Sequence, residues 1–350
     1  MIRTDSSFAW NASKNKIMNV SGSISNNTFR NGTNNYDIIR TIAALATFPS
    51  LIIGCIANIF VFRIITYDRD FYKPTYYLVR ISIISDTVVT LLGCVAVLVG
   101  DTVKISYALG SSFCRLFLYT ILSSYSVSIF TLCIISIDRY FITLKPFSRF
   151  YLRYKRKFLT SLVLCAVLMS VTINIPVIFY VDVYPDDPGL CDFVSIDSFA
   201  RAFLMTAIIT MYIVPTIILL FTYGSIYWHQ YNHIRPGNIS ERSQKDEQMK
   251  RKKFTKALIT ITASYLSITW PFFAIGVAII ITGKSLRDIK NENATYYILS
   301  FLSFSTTLFI SVLNPFLYLK FDCNIKRKAW LYIQKYFLYK NTSKLRIIAS

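Results

Sequence analysis

Residues 116–137 read LFLYTILSSYSVSIFTLCIISI, a charge-free run bounded by Arg115 and Asp138. A helix rising about 1.5 Å per residue needs ~20 apolar residues to cross ~30 Å of hydrocarbon. This run meets that length, and six others match it. They lie between Arg40 and Arg63, Arg80 and Asp101, Lys157 and Asp182, Arg201 and Arg235, Lys256 and Lys284, and Glu292 and Lys320. Only the second block along the chain carries an internal charge, Asp86. Transmembrane β-strands would be ~10 residues long with alternating polarity, and nothing here alternates in that way. With 54% of its 350 residues hydrophobic and 16% charged, the chain has too little polar surface for a soluble domain. The expected fold is all-α, a seven-transmembrane helix bundle, with residues 1–37 as a tail, 38–320 as the bundle and 321–350 as an amphipathic helix and basic tail.

The net charge of +20 is distributed by side rather than by domain. Of the 38 Lys and Arg, 24 fall in the loops after blocks one, three and five and in the C-terminal tail. Nine fall in the N-terminal tail and the remaining loops. The positive-inside rule then places the N-terminus outside and the C-terminus in the cytoplasm. Basic charge reads as orientation and contact with membrane lipids, so a nucleic-acid partner is not expected. Four Asn-x-Ser/Thr sequons at Asn11, Asn19, Asn26 and Asn31 fit a glycosylated extracellular tail, although Asn238 and Asn341 carry the same triplet on the other side. No apolar run follows Met1 as a cleaved signal peptide would require. After block seven, Phe321, Ile325, Trp330, Ile333 and Phe337 recur at roughly helical spacing among basic residues, as in a helix lying on the inner leaflet. Cys55, Cys94, Cys133, Cys165 and Cys323 lie in spans or beside the inner face and read as reduced packing residues. Cys114 opens block three and Cys191 sits in the loop after block four, both outside, where an oxidising compartment makes them partners.

An ionisable or strongly polar group in hydrocarbon is a functional candidate by default. Asn58, Asp86 and Asn314 are three such groups on three different spans. Asp138-Arg139-Tyr140 stands at the inner end of block three, with Pro146 beyond it. Asn314-Pro315-Phe316-Leu317-Tyr318 stands in the inner half of block seven, where Pro315 removes a backbone donor and interrupts the helix.

These motifs resemble the rhodopsin-like family of G-protein-coupled receptors across nearly the whole chain. Asp138-Arg139-Tyr140 with Pro146 is similar to its third-helix signature. The 25-residue spacing from Cys114 to Arg139 is that of its outer disulfide, with Cys191 as loop partner. Asn58, Asp86, Pro215 followed by Tyr223, Pro271, and Asn314 to Tyr318 match the other helices. The resemblance implies a plasma-membrane receptor, not an enzyme, that binds an extracellular ligand and activates a heterotrimeric G protein, with arrestin and a receptor kinase as further partners. It implies that Asp138, Arg139, Tyr140, Pro146, Tyr223, Asn314, Pro315 and Tyr318 form the coupling and switch machinery. It also implies that Asp86, Ser128, Ser311 and Asn314 could hold a sodium ion as negative modulator, with no other cofactor or metal; for the two serines, bonds to their own helix are an equal reading. Three departures stand out. Helix six reads Thr269-Trp270-Pro271, so Thr269 takes the usual tryptophan position and Tyr265 an aromatic transmission position. Helix four has Ala166 near the place of its usual tryptophan. No acid lies near Arg251 to lock Arg139 to helix six.

Amine receptors of this kind need a carboxylate in helix three, but residues 116–137 hold none and Ile121 stands at the usual place. Retinal pigments need a lysine in helix seven, and residues 293–319 hold none. The second outer loop carries Asp182, Asp186, Asp187, Asp192 and Asp197, a rim that would attract a cation. With Ile121, Tyr125, Trp270, Phe272, Phe273 and Phe304 as candidate pocket residues, the expected ligand is a basic or amidated neuropeptide; a lipid or small metabolite is the alternative. A transporter or membrane enzyme is a remote one, because no inverted repeat and no nucleophile–base or metal constellation is visible.

Overall fold

In the computed structural model, residue 42 and residues 45–102, 106–146, 148–232 and 242–348 are described. The sequons at Asn11, Asn19, Asn26 and Asn31 lie outside them. Seven helices are long and apolar enough to cross a membrane: Leu45–Tyr67, Pro74–Leu98, Tyr107–Leu144, Arg153–Tyr180, Ser198–His229, Ile259–Thr282 and Thr295–Phe321. In chain order these are α1 (Leu45–Tyr67), α2 (Pro74–Thr102), α3 (Tyr107–Leu144), α4 (Arg149–Asn174), a short α5 (Val177–Tyr180), α6 (Ser198–Ile208), α7 (Val214–Asn232), α8 (Arg242–Thr282), a short α9 (Leu286–Glu292) and α10 (Ala294–Phe321). The fifth span is α6 and α7 joined by a π-helical turn, Ile209–Ile213. A final helix, α11, covers Cys323–Ile348.

The third span is the hub. Its apolar window is 72% buried, against 22–39% for the other six, which leave one face of each helix to lipid. Its small residues Ser123, Ser126, Ser128 and Ser136 keep it slim enough to be surrounded. Ser126 and Ser136 donate back to carbonyls of their own helix, Leu122 and Cys133, and the Ser126 hydroxyl also accepts from Asn174 Nδ2 of α4 at 3.1 Å. The core that wraps around α3 is one continuous cluster, from Val61 and Ile64 through Ile129 and Ile135 to Tyr223, Tyr265 and Tyr318.

The loop after the fourth span is a two-stranded antiparallel hairpin, β1 (Val181–Tyr184) with β2 (Asp187–Phe193). Val181 and Val183 turn inward on alternate positions, the period-2 pattern of a half-buried strand. The hairpin lies close on α3: a Cβ at Gly110 would sit 3.1 Å from the Pro188 carbonyl oxygen. At the opposite end, α11 docks through Ile325, which is fully buried. Lys328 pairs with Asp68 at 2.7 Å and Asp70 at 2.8 Å. Trp330 and Ile333 stay exposed on the other side of α11. Among the seven cysteines, Cys133 is buried as expected of a packing residue, whereas Cys165 and Cys323 are exposed.

Candidate functional site

Among the described residues, polar constellations and a cavity mark the bundle. Cys114 and Cys191 are joined as a disulfide, which bolts β2 to the first turns of α3 and defines one end of the molecule. Asp138-Arg139-Tyr140 lies near the other end of the same helix.

Between them is a buried network around Asp86. One carboxylate oxygen accepts from Ser128 Oγ at 3.1 Å and from Ser311 Oγ at 3.0 Å; the other accepts from Asn314 Nδ2 at 2.8 Å. Four residues from three helices, picked from sequence, thus meet on one carboxylate. Asn58 joins by donating to the carbonyls of Gly54 at 3.0 Å and Ser311 at 2.9 Å. Its own side-chain oxygen is buried without a hydrogen-bond partner. A carboxyl group, two hydroxyls and an unsatisfied amide oxygen are hard oxygen donors of the kind a small cation takes.

At the far end, Asp138 is fully buried and carries a denser set of partners than the sequence suggested. Thr75 Oγ1 donates to it at 3.1 Å, the Tyr151 hydroxyl donates to it, and Lys155 Nζ lies 2.8 Å away. Arg139 Nε is further off, at 3.9 Å. The ion pair between Asp138 and Arg139 is therefore the looser of two, because Lys155 from α4 holds the better position. A lysine one helical turn after Tyr151 was the available signal, since both then face α3. Tyr140 stacks on Phe221 at 6.0 Å between centroids, Tyr223, Asn314 and Tyr318 are buried, Pro315 lies inside α10, and Pro146 is exposed just beyond α3.

The cavity opens at the disulfide end and has a volume of about 370 Å³. Phe272, Phe273 and Phe304 line it, as the sequence suggested. Ile121, Tyr125 and Trp270 do not. Ile121 and Tyr125 are packed into the bundle, with Tyr125 one ring below Phe273 at 6.4 Å. Trp270 is 56% exposed on the outside of α8: one residue past the buried Thr269 is a turn of ~100° about the helix axis, which swings its ring off the core face. The remaining walls are chiefly Leu, Ile, Phe and Met, with no Lys, Arg or His among the described lining residues and Asp192 as their one acid.

The acidic rim is committed internally. Asp182 pairs with Arg115 and Asp186 with Arg287, and Asp187 meets Lys290 at 3.1 Å. Asp197 caps α6 through the Ala200 N–H at 2.8 Å. Asp192 receives the N–H groups of Phe193, Leu286 and Arg287 at 2.7, 3.1 and 2.9 Å and the Tyr184 hydroxyl at 3.2 Å. Burial pushes the Asp192 carboxyl above the usual carboxylate range despite those four donors. Burial also works against ionising Asp182, but bonds from Ser111 and Arg115 outweigh it and hold its pKa low. Arg287 and Lys290 were not singled out from sequence, because a partner about 100 residues away leaves no local spacing to read.

A model of the 7 transmembrane receptor (rhodopsin family) matches residues 57–318. The chain belongs to that family. The receptor is 27% identical to trace amine-associated receptor 1 of Mus musculus over 330 residues, 87% of this chain and 93% of that one. It is 25% identical to the RYamide receptor of Tribolium castaneum over 234 residues, 63% of this chain and 62% of the relative. It is 22% identical to neuropeptide Y receptor type 2 of Sus scrofa over 310 residues, 84% and 76% of the two chains. These relatives are receptors, not enzymes.

Proposed function

We propose that this receptor binds an extracellular peptide whose uncharged, apolar end enters the cavity beneath the hairpin, and that binding favours a packing in which α8 swings outward and Arg139 engages a heterotrimeric G protein. The observation that carries the reading is the cavity itself, apolar, closed over by the disulfide-anchored hairpin, and without an uncommitted charge. The attraction of the acidic rim for a basic ligand is reduced, because Asp182, Asp186 and Asp187 pair with Arg115, Arg287 and Lys290, while Asp192 and Asp197 accept from neutral donors. An amidated peptide end keeps its place, since amidation removes the terminal charge and the cavity offers nothing to pair with one. Two relatives named for neuropeptides support the peptide class. Trace amine-associated receptor 1 points the other way, but a ligand ammonium would need a carboxylate in α3 and the run 116–137 has none.

The same apolar lining favours a second reading, an uncharged lipid or small metabolite. A ligand must bind one packing better than the other to shift their balance, and either kind would act on Phe272 and Phe273. For the sodium ion, Asp86 with Ser128, Ser311, Asn314 and the Asn58 amide oxygen would supply the oxygen donors, and the charge of Asp86 would be neutralised there. The basic loops and tail support a cytoplasmic position for the Asp138-Arg139-Tyr140 end; with the receptor in the plasma membrane, arrestin and a receptor kinase would meet that same face.

The test is G-protein dissociation in cells expressing the receptor, challenged with amidated peptides graded in the charge of the last two residues and, in parallel, with uncharged lipids. A response to peptides with uncharged ends, lost in Arg139→Ala at equal surface expression, is the expected result. A response to lipids alone would replace the peptide reading. An undiminished response in Arg139→Ala would refute the coupling role.

A further inference from the structure

The inner end of α4 carries charge that the fold does not use. Between Asp138 and Asp182 the chain has no acidic residue, yet residues 149–157 hold Arg149, Arg153, Lys155, Arg156 and Lys157. Helical geometry sorts these cations at ~100° per residue. Lys155 faces α3, where it meets Asp138 at 2.8 Å. Arg149, Arg153, Arg156 and Lys157 fall within about 100° of arc on the opposite side, and all four are exposed. Among the described residues none of the four has a carboxylate partner. The Arg153 guanidinium lies 5.7 Å from the centroid of the exposed Tyr154 ring, a contact with the ring face that engages none of its N–H donors.

The same face continues along the helix in layers. Beyond Lys157 the exposed residues on it are Thr160 and Ser161, then Leu164 and Leu168. The apolar span of this helix begins at Arg153. The cations therefore stand at the hydrocarbon boundary, the two hydroxyls just inside it and the leucines among the acyl chains. Cations, hydroxyls and apolar side chains in that order complement the phosphate, the glycerol esters and the chains of a phospholipid. From Arg149 to Lys157 the helix rises about 12 Å, more than one phosphodiester fills. Three of the four cations are arginines, whose planar fork takes phosphate oxygens in pairs. A headgroup with a single charge would engage one of them, whereas a headgroup with several phosphates can engage the set.

We propose that this face of α4 binds an inner-leaflet phospholipid whose headgroup carries several phosphates, a polyphosphorylated inositol lipid. This rests on the orientation given above, in which the Asp138-Arg139-Tyr140 end faces the cytoplasm, the side on which anionic lipids gather. The bound headgroup anchors from outside the same helix whose inner face supplies Tyr151 and Lys155 to Asp138.

The experiment is native mass spectrometry of the full chain in detergent, with phosphatidylinositol bisphosphate or phosphatidylserine added. The inositol lipid is expected to bind about tenfold or more tighter than phosphatidylserine. Arg153→Gln with Arg156→Gln removes two exposed cations and should weaken that binding about 30-fold. Arg149→Gln with Lys157→Gln should do the same. Lys326→Gln with Arg327→Gln removes two charges from α11, at the same end of the bundle, and should change it less than about threefold, because charges away from the site are screened. Equal affinity for the two lipids, or equal losses from the α4 and α11 pairs, would reduce the effect to general attraction and overturn the site. Inositol trisphosphate is titrated in parallel, and binding as tight as that of the lipid would assign the site to a soluble phosphate ligand instead. Binding by the purified receptor does not depend on orientation. Protease access to a C-terminal tag on intact cells reads orientation separately, and a tag cleaved from outside would remove the inner leaflet as the source.

Discussion

Asp192→Ala should open the outer lid far more than Arg287→Gln, although both cut the same contact between β2 and α9. The first-turn N–H groups of α9 have no helical acceptor. Ser285 takes that of Asp288 at 3.1 Å in a capping box, and Asp192 takes those of Leu286 and Arg287. Asp192 is 2% exposed, so its removal leaves two half-buried donors and the Tyr184 hydroxyl without their acceptor. At roughly 1–3 kcal/mol for each unsatisfied buried donor, discounted for water reaching the rim, the loss is about 2–4 kcal/mol. The Arg287–Asp186 pair has side-chain exposures of 34% and 64%, which puts it at about 0.2–1 kcal/mol. The guanidinium, 4.2 Å from the Tyr184 ring centroid, adds about 0.5–1 kcal/mol. Hydrogen exchange of the Leu286 and Arg287 amides reads the difference directly: Asp192→Ala should speed it between about 30-fold and about 1,000-fold, Arg287→Gln between about threefold and about 30-fold. Equal exchange in native and Asp192→Ala receptor, or a larger effect of Arg287→Gln, would refute this reasoning. The pH dependence has a definite sign. With the folded pKa of Asp192 above the ordinary 3.8, the folded receptor binds the extra proton between those two values, so this group's contribution falls as pH rises through that window. Acidification from neutral toward 3.8 should stabilise native receptor relative to Asp192→Ala.

Cys191→Ser should release the hairpin from α3, and a loss of surface-expressed, conformationally intact receptor would show it; normal surface level and response would contradict the bolt. Asp86→Asn should abolish any thermal stabilisation by sodium over choline, with intact sodium dependence in the variant excluding Asp86 as the ligand. Asn58→Ala leaves the Ser311 carbonyl without its side-chain donor at a fully buried site. It should lower stability by about 1–3 kcal/mol, and a thermal midpoint equal to native would show that the contact is dispensable.

The parts of this receptor legible in its sequence are those that depend on long runs or on a residue type that hydrocarbon forbids. Seven apolar blocks became seven spans because nothing else satisfies the backbone in a membrane. Asp86, Ser128, Ser311 and Asn314 meet because polar groups in three spans have only one another to pair with. Helix phase and distant partners were the parts that could not be read. Trp270 is a candidate pocket residue in the sequence, yet the one-residue shift relative to Thr269 turns it to the outside. Tyr125 lies on the inner face of α3 as expected but a layer too deep to meet the ligand. Three of the five acids of the second outer loop pair with Arg115, Arg287 and Lys290, partners that could be matched to them only once the loops were folded together.

One rule connects two of the inter-helix contacts. A proline inside a spanning helix removes one N–H and strands the carbonyl four residues before it, with no water in the hydrocarbon to receive it. In the π-helical turn before Pro215 the ladder is shifted, and Tyr265 of α8 donates its hydroxyl to the Met211 carbonyl there. Pro315 strands Ser311, and Asn58 of α1 answers with its amide. In each case the donor is a side chain from a neighbouring helix, so a local break in one ladder becomes a specific contact between two helices. Such contacts differ from apolar packing in being directional: a small rotation or slide of either helix breaks them outright, whereas a leucine surface repacks. Helix-breaking residues therefore fix register in this bundle and mark where it can come apart. The Met211 contact lies at the cavity, which Met211 lines. The Pro315 contact lies beside Asp86, through Ser311, whose hydroxyl binds that carboxylate while its carbonyl takes Asn58. A ligand acting on the first and a cation acting on the second would bear on the same balance of packings from separate places, through bonds that the sequence had already obliged the fold to make.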